Sequence, residues 1–165
     1  MKIREAGYVL SVDQASNAAG VALWLNGDLV ATTVLRSKSP SDVFSRRIQY
    51  QLEQLNDFLN EQLPPGVDVE KVLFEGVKSK LVLIVVGSFL CCTRIHAKMH
   101  DKASFVYSSS WKTWAKRHGA TGPVSEIKGC KALAETGFDM DTHHIRSDDV
   151  ADAILIYMSW RDRPV

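Results

Sequence analysis

The segment Tyr8-Val9-Leu10-Ser11-Val12-Asp13 is rich in β-forming residues and ends on an acid. Ala19 to Leu25 is a second apolar run, and the Asn26-Gly27-Asp28 that follows is a hairpin turn signal. Leu29 to Leu35 reads as a third strand, so the chain opens with an antiparallel meander. Ser39-Pro40 reads as a helix start, with Ser39 as N-cap and Pro40 at the first helical position. Phe44, Ile48, Leu52, Leu55 and Leu59 then recur at helical spacing and predict one buried face. Pro64-Pro65-Gly66 stops that helix. Val72 to Glu75 is a short strand that again ends on an acid, and a helix is predicted from Leu81 to about His100. Ser104 to Ser108 reads as a fifth strand. Helices are predicted over Ser110 to His118 and, after a Gly119–Pro123 loop, over Val124 to Glu135, closed by Gly137. The last helix is capped by Ser147 and runs to about Trp160, with Val150, Ile154, Tyr157 and Met158 inward. The order β-β-β-α-β-α-β-α-α-α implies an α/β fold: a mixed five-stranded sheet with helices on both faces.

Composition adds bounds. A chain of 165 residues, 45% apolar and 24% charged, suits one domain over residues 1–165 and excludes disorder along its whole length. A net charge of +1 excludes a polycationic nucleic-acid coat and leaves room for a local basic patch. Cys91, Cys92 and Cys130 form no C-x-x-C pair and no zinc spacing, which fits a reduced protein with half-buried thiols. Met1 to Gly7 carries Lys2, Arg4 and Glu5 and lacks the apolar core of a signal peptide. Leu81 to Val86 is far shorter than the roughly 18 residues of a membrane span. The expectation is a soluble, cytoplasmic protein.

The chemistry lies in the carboxylates. Asp13 and Glu75 each end an apolar strand, where acids are disfavoured unless the strand end is solvated or functional. Ser147-Asp148-Asp149-Val150-Ala151-Asp152 adds three more at the start of a helix. Acids there complement the helix dipole, which accounts for Asp148 and Asp149. It accounts less well for Asp152, set among Ala151, Ala153 and Ile154. Asp149 and Asp152 share a face at i,i+3, and Asp148 is i,i+4 from Asp152. Clustered carboxylates raise one another's pKa unless a cation sits between them. A hard, all-oxygen donor set suits Mg²⁺ or Mn²⁺. Two such ions can clamp the attacking and leaving oxygens of a phosphodiester.

Four stretches, in order along nearly the whole chain, resemble the RuvC-like Holliday-junction resolvases, which have the RNase H fold. Leu10 to Ala22 (LSVDQASNAAGVA) resembles their first motif, and its Gln14 form looks more like phage-encoded members than the cellular enzyme. Leu73-Phe74-Glu75-Gly76-Val77 looks like the second acidic strand, and Tyr107 to Lys112 like the strand followed by a lysine-bearing segment. Asp149-Val150-Ala151-Asp152-Ala153 resembles the C-terminal D-x-x-D-A helix. The resemblance implies a metal-dependent, structure-selective DNA endonuclease acting on four-way junctions. Asp13, Glu75, Asp149 and Asp152 would hold two Mg²⁺ ions, with Mn²⁺ able to substitute and Asp148 a rival for Asp149's place. Paired nicks would leave 5′-phosphate and 3′-hydroxyl ends. Lys112 or Lys128 would neutralise charge at the scissile phosphate. Two sites acting on paired strands imply a homodimer.

The resemblance has gaps. Cellular resolvases carry an aromatic wedge after the second acid, whereas this chain has Val77-Lys78-Ser79-Lys80. Phosphate contacts by Lys78 and Lys80, or a wedge at Leu81 or Leu83, are the alternatives. Trp111 to His118 (WKTWAKRH) interleaves aromatic and basic residues. It reads either as a DNA contact through Lys112, Lys116 and Arg117 or as an amphipathic helix with its tryptophans in the core. Arg94 and Lys98, at i,i+4, could extend a basic patch or form a solvated face. His143-His144 reads as a polar loop or a metal or phosphate contact. Three other functions remain open to the sequence: an RNase H-fold nuclease for flaps or RNA–DNA hybrids, a non-catalytic binder of branched DNA, and an actin-like nucleotide-binding fragment.

Overall fold

The computed structural model describes residues 7–37, 41–76, 80–92, 94–95, 103–119, 136 and 148–164, with side chains described from residue 83 in the helix that opens at Lys80 and from residue 149 in the last helix. Strands β1 (Tyr8–Asp13), β2 (Ala18–Leu25) and β3 (Asp28–Arg36) form the predicted meander. Asn26 and Gly27 turn the second hairpin at φ 50° and 96°, the left-handed pair that an Asn-Gly step supplies at low cost. Helix α1 (Phe44–Gln62), β4 (Lys71–Gly76), α2 (Lys80–Leu90), β5 (Ala103–Tyr107), α3 (Ser108–Arg117) and α4 (Asp148–Arg161) follow. The sheet order is β3-β2-β1-β4-β5. The meander pairs are antiparallel, while β1–β4 and β4–β5 are parallel.

Strand alternation sorts side chains to two faces. Leu10 and Val12 of β1, Val21 and Leu23 of β2, and Val72 and Phe74 of β4 pack with Ile48, Leu55 and Leu59 of α1 and Val85, Val86 and Phe89 of α2. Val9, Ala22, Trp24, Leu73 and Val106 pack with Trp111 and Ala115 of α3 and most of α4. Helix α4 is buried nearly all round from Val150 to Trp160, apart from a half-buried Asp152. Trp24 stacks on Tyr157 at 3.9 Å and donates its indole N–H to buried Ser11 Oγ at 3.0 Å.

Three helix boundaries differ from the sequence expectation. Helix α1 opens at Phe44, not Pro40, with Ser41 and Asp42 in a non-helical turn and the N–H groups of Arg46 and Arg47 bonding Val43 O. The first apolar residue of the stripe, rather than the Ser-Pro pair, sets the start, because a helical turn needs packing to offset its nucleation cost. Helix α2 ends at Leu90 instead of near His100. There the Cys91 and Cys92 N–H groups bond Ser88 O and Phe89 O at i−3, and Cys92 Sγ–H reaches Asn56 Oδ1 at 3.0 Å. Helix α3 starts at Ser108, directly from β5. The cysteines also divide: Cys92 is buried and Cys91 exposed. The predicted helix over 124–135, Gly137, Cys130, His143-His144 and the Ser147 cap lie outside the described residues.

Candidate active site

Period-two alternation decides where the strand acids point. Val9, Ser11 and Asp13 share the β1 face that α4 covers, and Leu73 and Glu75 share the same face of β4. The parallel register pairs Val12 with Phe74, so Asp13 and Glu75 come level at the C-terminal edge of adjacent central strands. Asp13 lies opposite Gly20 on β2.

Gly20 sets how closely α4 approaches. A Cβ there would lie 2.0 Å from the carbonyl carbon and oxygen of Asp149 and 2.5 Å from the Val150 nitrogen. Only the missing side chain lets the first turn of α4 rest on the sheet beside Asp13. Asp149 and Asp152 thereby join the two strand acids. Burial, then the charges of Asp152, Glu75 and Asp149, and a hydrogen bond shared with Glu75 push the Asp13 carboxyl up to about 9. The four acids that the sequence singled out are thus brought into one electrostatic cluster. Asp148 is the first residue of α4, and its side chain lies outside the described set.

The donor set is all oxygen and strongly acidic, which fits a hard divalent cation in chemistry. Among the described residues, no group of three or more His, Cys, Asp or Glu side chains is preassembled to hold one. Burial, and then repulsion among carboxylates with no cation between them, hold the Asp13 proton in place.

The loop from Asp13 to Ala18 is anchored on both sides. Buried Gln51 of α1 donates to Ala15 O and Ser16 O, each at 2.9 Å. Buried Gln14 makes two bonds to the main chain of Glu75: its Nε2 donates to Glu75 O at 2.6 Å, and its Oε1 accepts from Glu75 N–H at 3.1 Å. From α3, Trp111 donates its indole N–H to Glu75 Oε1 at 3.0 Å. The sequence offered a signal for each: Gln51 is a polar residue on an apolar stripe, and Gln14, Gly20 and Trp111 lie inside the quoted motifs. Their roles appear only with the fold.

The basic candidates separate. Lys112, Lys116 and Arg117 are exposed on α3, with Trp111 buried and Trp114 half-buried, so the helix is amphipathic with its tryptophans turned to the core. Lys112 Nζ lies 5.3 Å from the Trp111 ring centroid. Arg117 lines a groove of about 510 Å³ with Ser109, Ser110, Thr113 and Arg163. Arg94 is engaged within the fold, 3.4 Å from Asp68 and bonded to Pro64 O, Val67 O and Asn60 Oδ1. Lys78, Lys98 and Lys128 lie outside the described residues, as does the side chain of Lys80. Leu83 is exposed on α2.

No protein-family model matches the sequence, and no curated protein matches it. Solved structures do. Thermus thermophilus RuvC in complex with a Holliday junction substrate superposes with TM-score 0.61 at 17% identity, over 93% of this chain and 92% of that one. Thermus thermophilus RuvC alone gives TM-score 0.57 at 16% identity, with 92% of each chain covered. The fowlpox virus Holliday junction resolvase gives 0.53 at 12% identity, over 94% of this chain and 97% of that one. The chain therefore shares the fold of RuvC, a mixed five-stranded α/β sheet covered by helices.

Proposed function

We propose that the protein is a metal-dependent, structure-selective DNA endonuclease that resolves four-way junctions by paired nicks leaving 5′-phosphate and 3′-hydroxyl ends. The observation that carries this reading is the meeting of Asp13, Glu75, Asp149 and Asp152 at the edge of the sheet, in a fold whose solved examples include junction resolvases. Asp13, Glu75, Asp149 and Asp152 would hold Mg²⁺, or Mn²⁺ in its place, as two ions. When bound, the metal supplies Lewis-acid stabilisation of the oxygens around phosphorus. The chain's own part is placement. The two strand acids are fixed by the β1–β4 register, and the helix acids are delivered by the contact at Gly20. Lys112, beside Trp111, is suited to offset charge growing on the phosphate. Lys116 and Arg117 extend the basic surface along α3 as contacts to the DNA backbone.

A four-way junction has two strands to cut, so the reading includes a homodimer. Helix α2 offers a face for it. Its inner residues Val85, Val86 and Phe89 are buried, yet Leu83 and Ile84 are 52% and 53% exposed, with Gly87 and Cys91 exposed on the following turns. A helix apolar on both sides suits burial against a second copy. Among the described residues, no helix is long and apolar enough to cross a membrane.

The test is a labelled four-way junction, a flap, an RNA–DNA hybrid and plain duplex, each with and without Mg²⁺. Symmetric nicks confined to the junction and dependent on Mg²⁺ are expected. Cleavage of the hybrid or flap alone would reassign the substrate. Tight junction binding with no cleavage in any divalent metal would make the protein a binder.

A further inference from the structure

Glu75 is held from two directions by side chains that have no other evident reason to meet it. The β1–β4 ladder has its last rung at Val12–Phe74. One residue on, where β1 turns away, the N–H and C=O of Glu75 would face the end of a strand. The carboxamide of Gln14 stands there in place of a peptide group, accepting from Glu75 N–H and donating to Glu75 O. Only one orientation of the amide satisfies both bonds, so it fixes the backbone of Glu75 in height and direction. From the opposite side, buried Trp111 uses its single N–H on Glu75 Oε1. That leaves Oε2 as the oxygen free of the indole. The same indole carries Lys112 over its face.

We infer that Gln14 and Trp111 are positioning residues for Glu75: Gln14 extends the β1–β4 ladder to lock its backbone, and Trp111 orients its carboxylate toward the metal site while seating Lys112 beside it. The inference rests on the nuclease reading. Hydrogen bonds to a ligating carboxylate set its angle and basicity, and losing such a partner typically weakens metal binding about 10- to 100-fold. Trp111→Phe keeps a ring in the core and deletes the N–H. Gln14→Met keeps the chain length and deletes the amide.

The experiment uses metal-free, ¹⁵N-labelled full-length chain and two readouts. Thermal stabilisation by Mg²⁺ alone gives a metal midpoint without any cleavage assay. The indole N–H resonances of the four tryptophans report the Trp111 contact, assigned by its loss in Trp111→Phe. Both variants should raise the Mg²⁺ midpoint by about tenfold or more. Glu75→Gln and Gln14→Met should each shift the Trp111 indole resonance. Variants that melt earlier yet keep the wild-type Mg²⁺ midpoint would show a merely structural role and overturn the inference. If the wild type shows no response to Mg²⁺, the nuclease reading fails. The placement of Glu75 is then decided by the indole resonance, kept if both substitutions move it and overturned if neither does.

Discussion

Asp13 shows how one residue ties function to stability. Its carboxyl is pushed up to about 9 in the folded chain, first by burial and then by neighbouring acids, against about 4 when unfolded. Between those values the folded state holds the extra proton, so its stability is fullest below about pH 4 and falls as pH rises toward 9. Asp13→Asn removes the ionisation. In metal-free buffer, the wild type should lose stability progressively from about pH 4 to 9 while Asp13→Asn changes less, so that the two diverge as pH rises. Parallel melting curves across that range would mean that neither burial nor the other acids hold the Asp13 carboxyl up. Mg²⁺ should narrow the gap by stabilising the wild type more than the variant.

At the scale of elements, the docking of α4 on β2 is the feature most sensitive to a small change. Gly20→Ala would place a methyl group at 2.0 Å from the Asp149 carbonyl, so the helix start must move. The expected result is a folded protein, somewhat destabilised, whose cleavage rate falls at least tenfold at saturating DNA, because an ångström of misplacement costs about two decades in rate. Wild-type activity in Gly20→Ala would show that the first turn of α4 does not serve the site. Much of this architecture was legible in the sequence. Alternation, the Asn26-Gly27 turn and Pro64-Pro65-Gly66 announced the strands, one hairpin and the end of α1. The acids ending β1 and β4 were visible as exceptions to strand composition. Helix ends were less legible, since Phe44 and Leu90 are set by packing and by i−3 bonds rather than by local caps. The partners of Glu75 were not legible either. Gln14 and Trp111 lie 61 and 36 residues from it in the chain, and only the fold brings them together.

At the scale of the whole molecule, a near-neutral chain that acts on DNA as proposed would hold it through local charge, such as the basic face of α3, rather than overall charge. On the proposed reading, the exposed apolar face of α2 is the contact between two copies. Ile84→Asp should convert a dimer to a monomer in sedimentation while leaving the fold's thermal transition cooperative. The monomer should nick one strand of a junction without its symmetric partner. A wild-type chain that sediments as a monomer, or an Ile84→Asp chain that remains dimeric, would move the interface away from α2.

The most direct test of the central claim is strand-resolved cleavage of a labelled four-way junction by wild type and by folded Asp13→Asn, with junction binding measured on the same preparations. Mg²⁺-dependent, symmetric nicks are expected from the wild type, and near-wild-type binding with no detectable nicking from Asp13→Asn. Full cleavage by Asp13→Asn would contradict the assignment of Asp13 to the metal site.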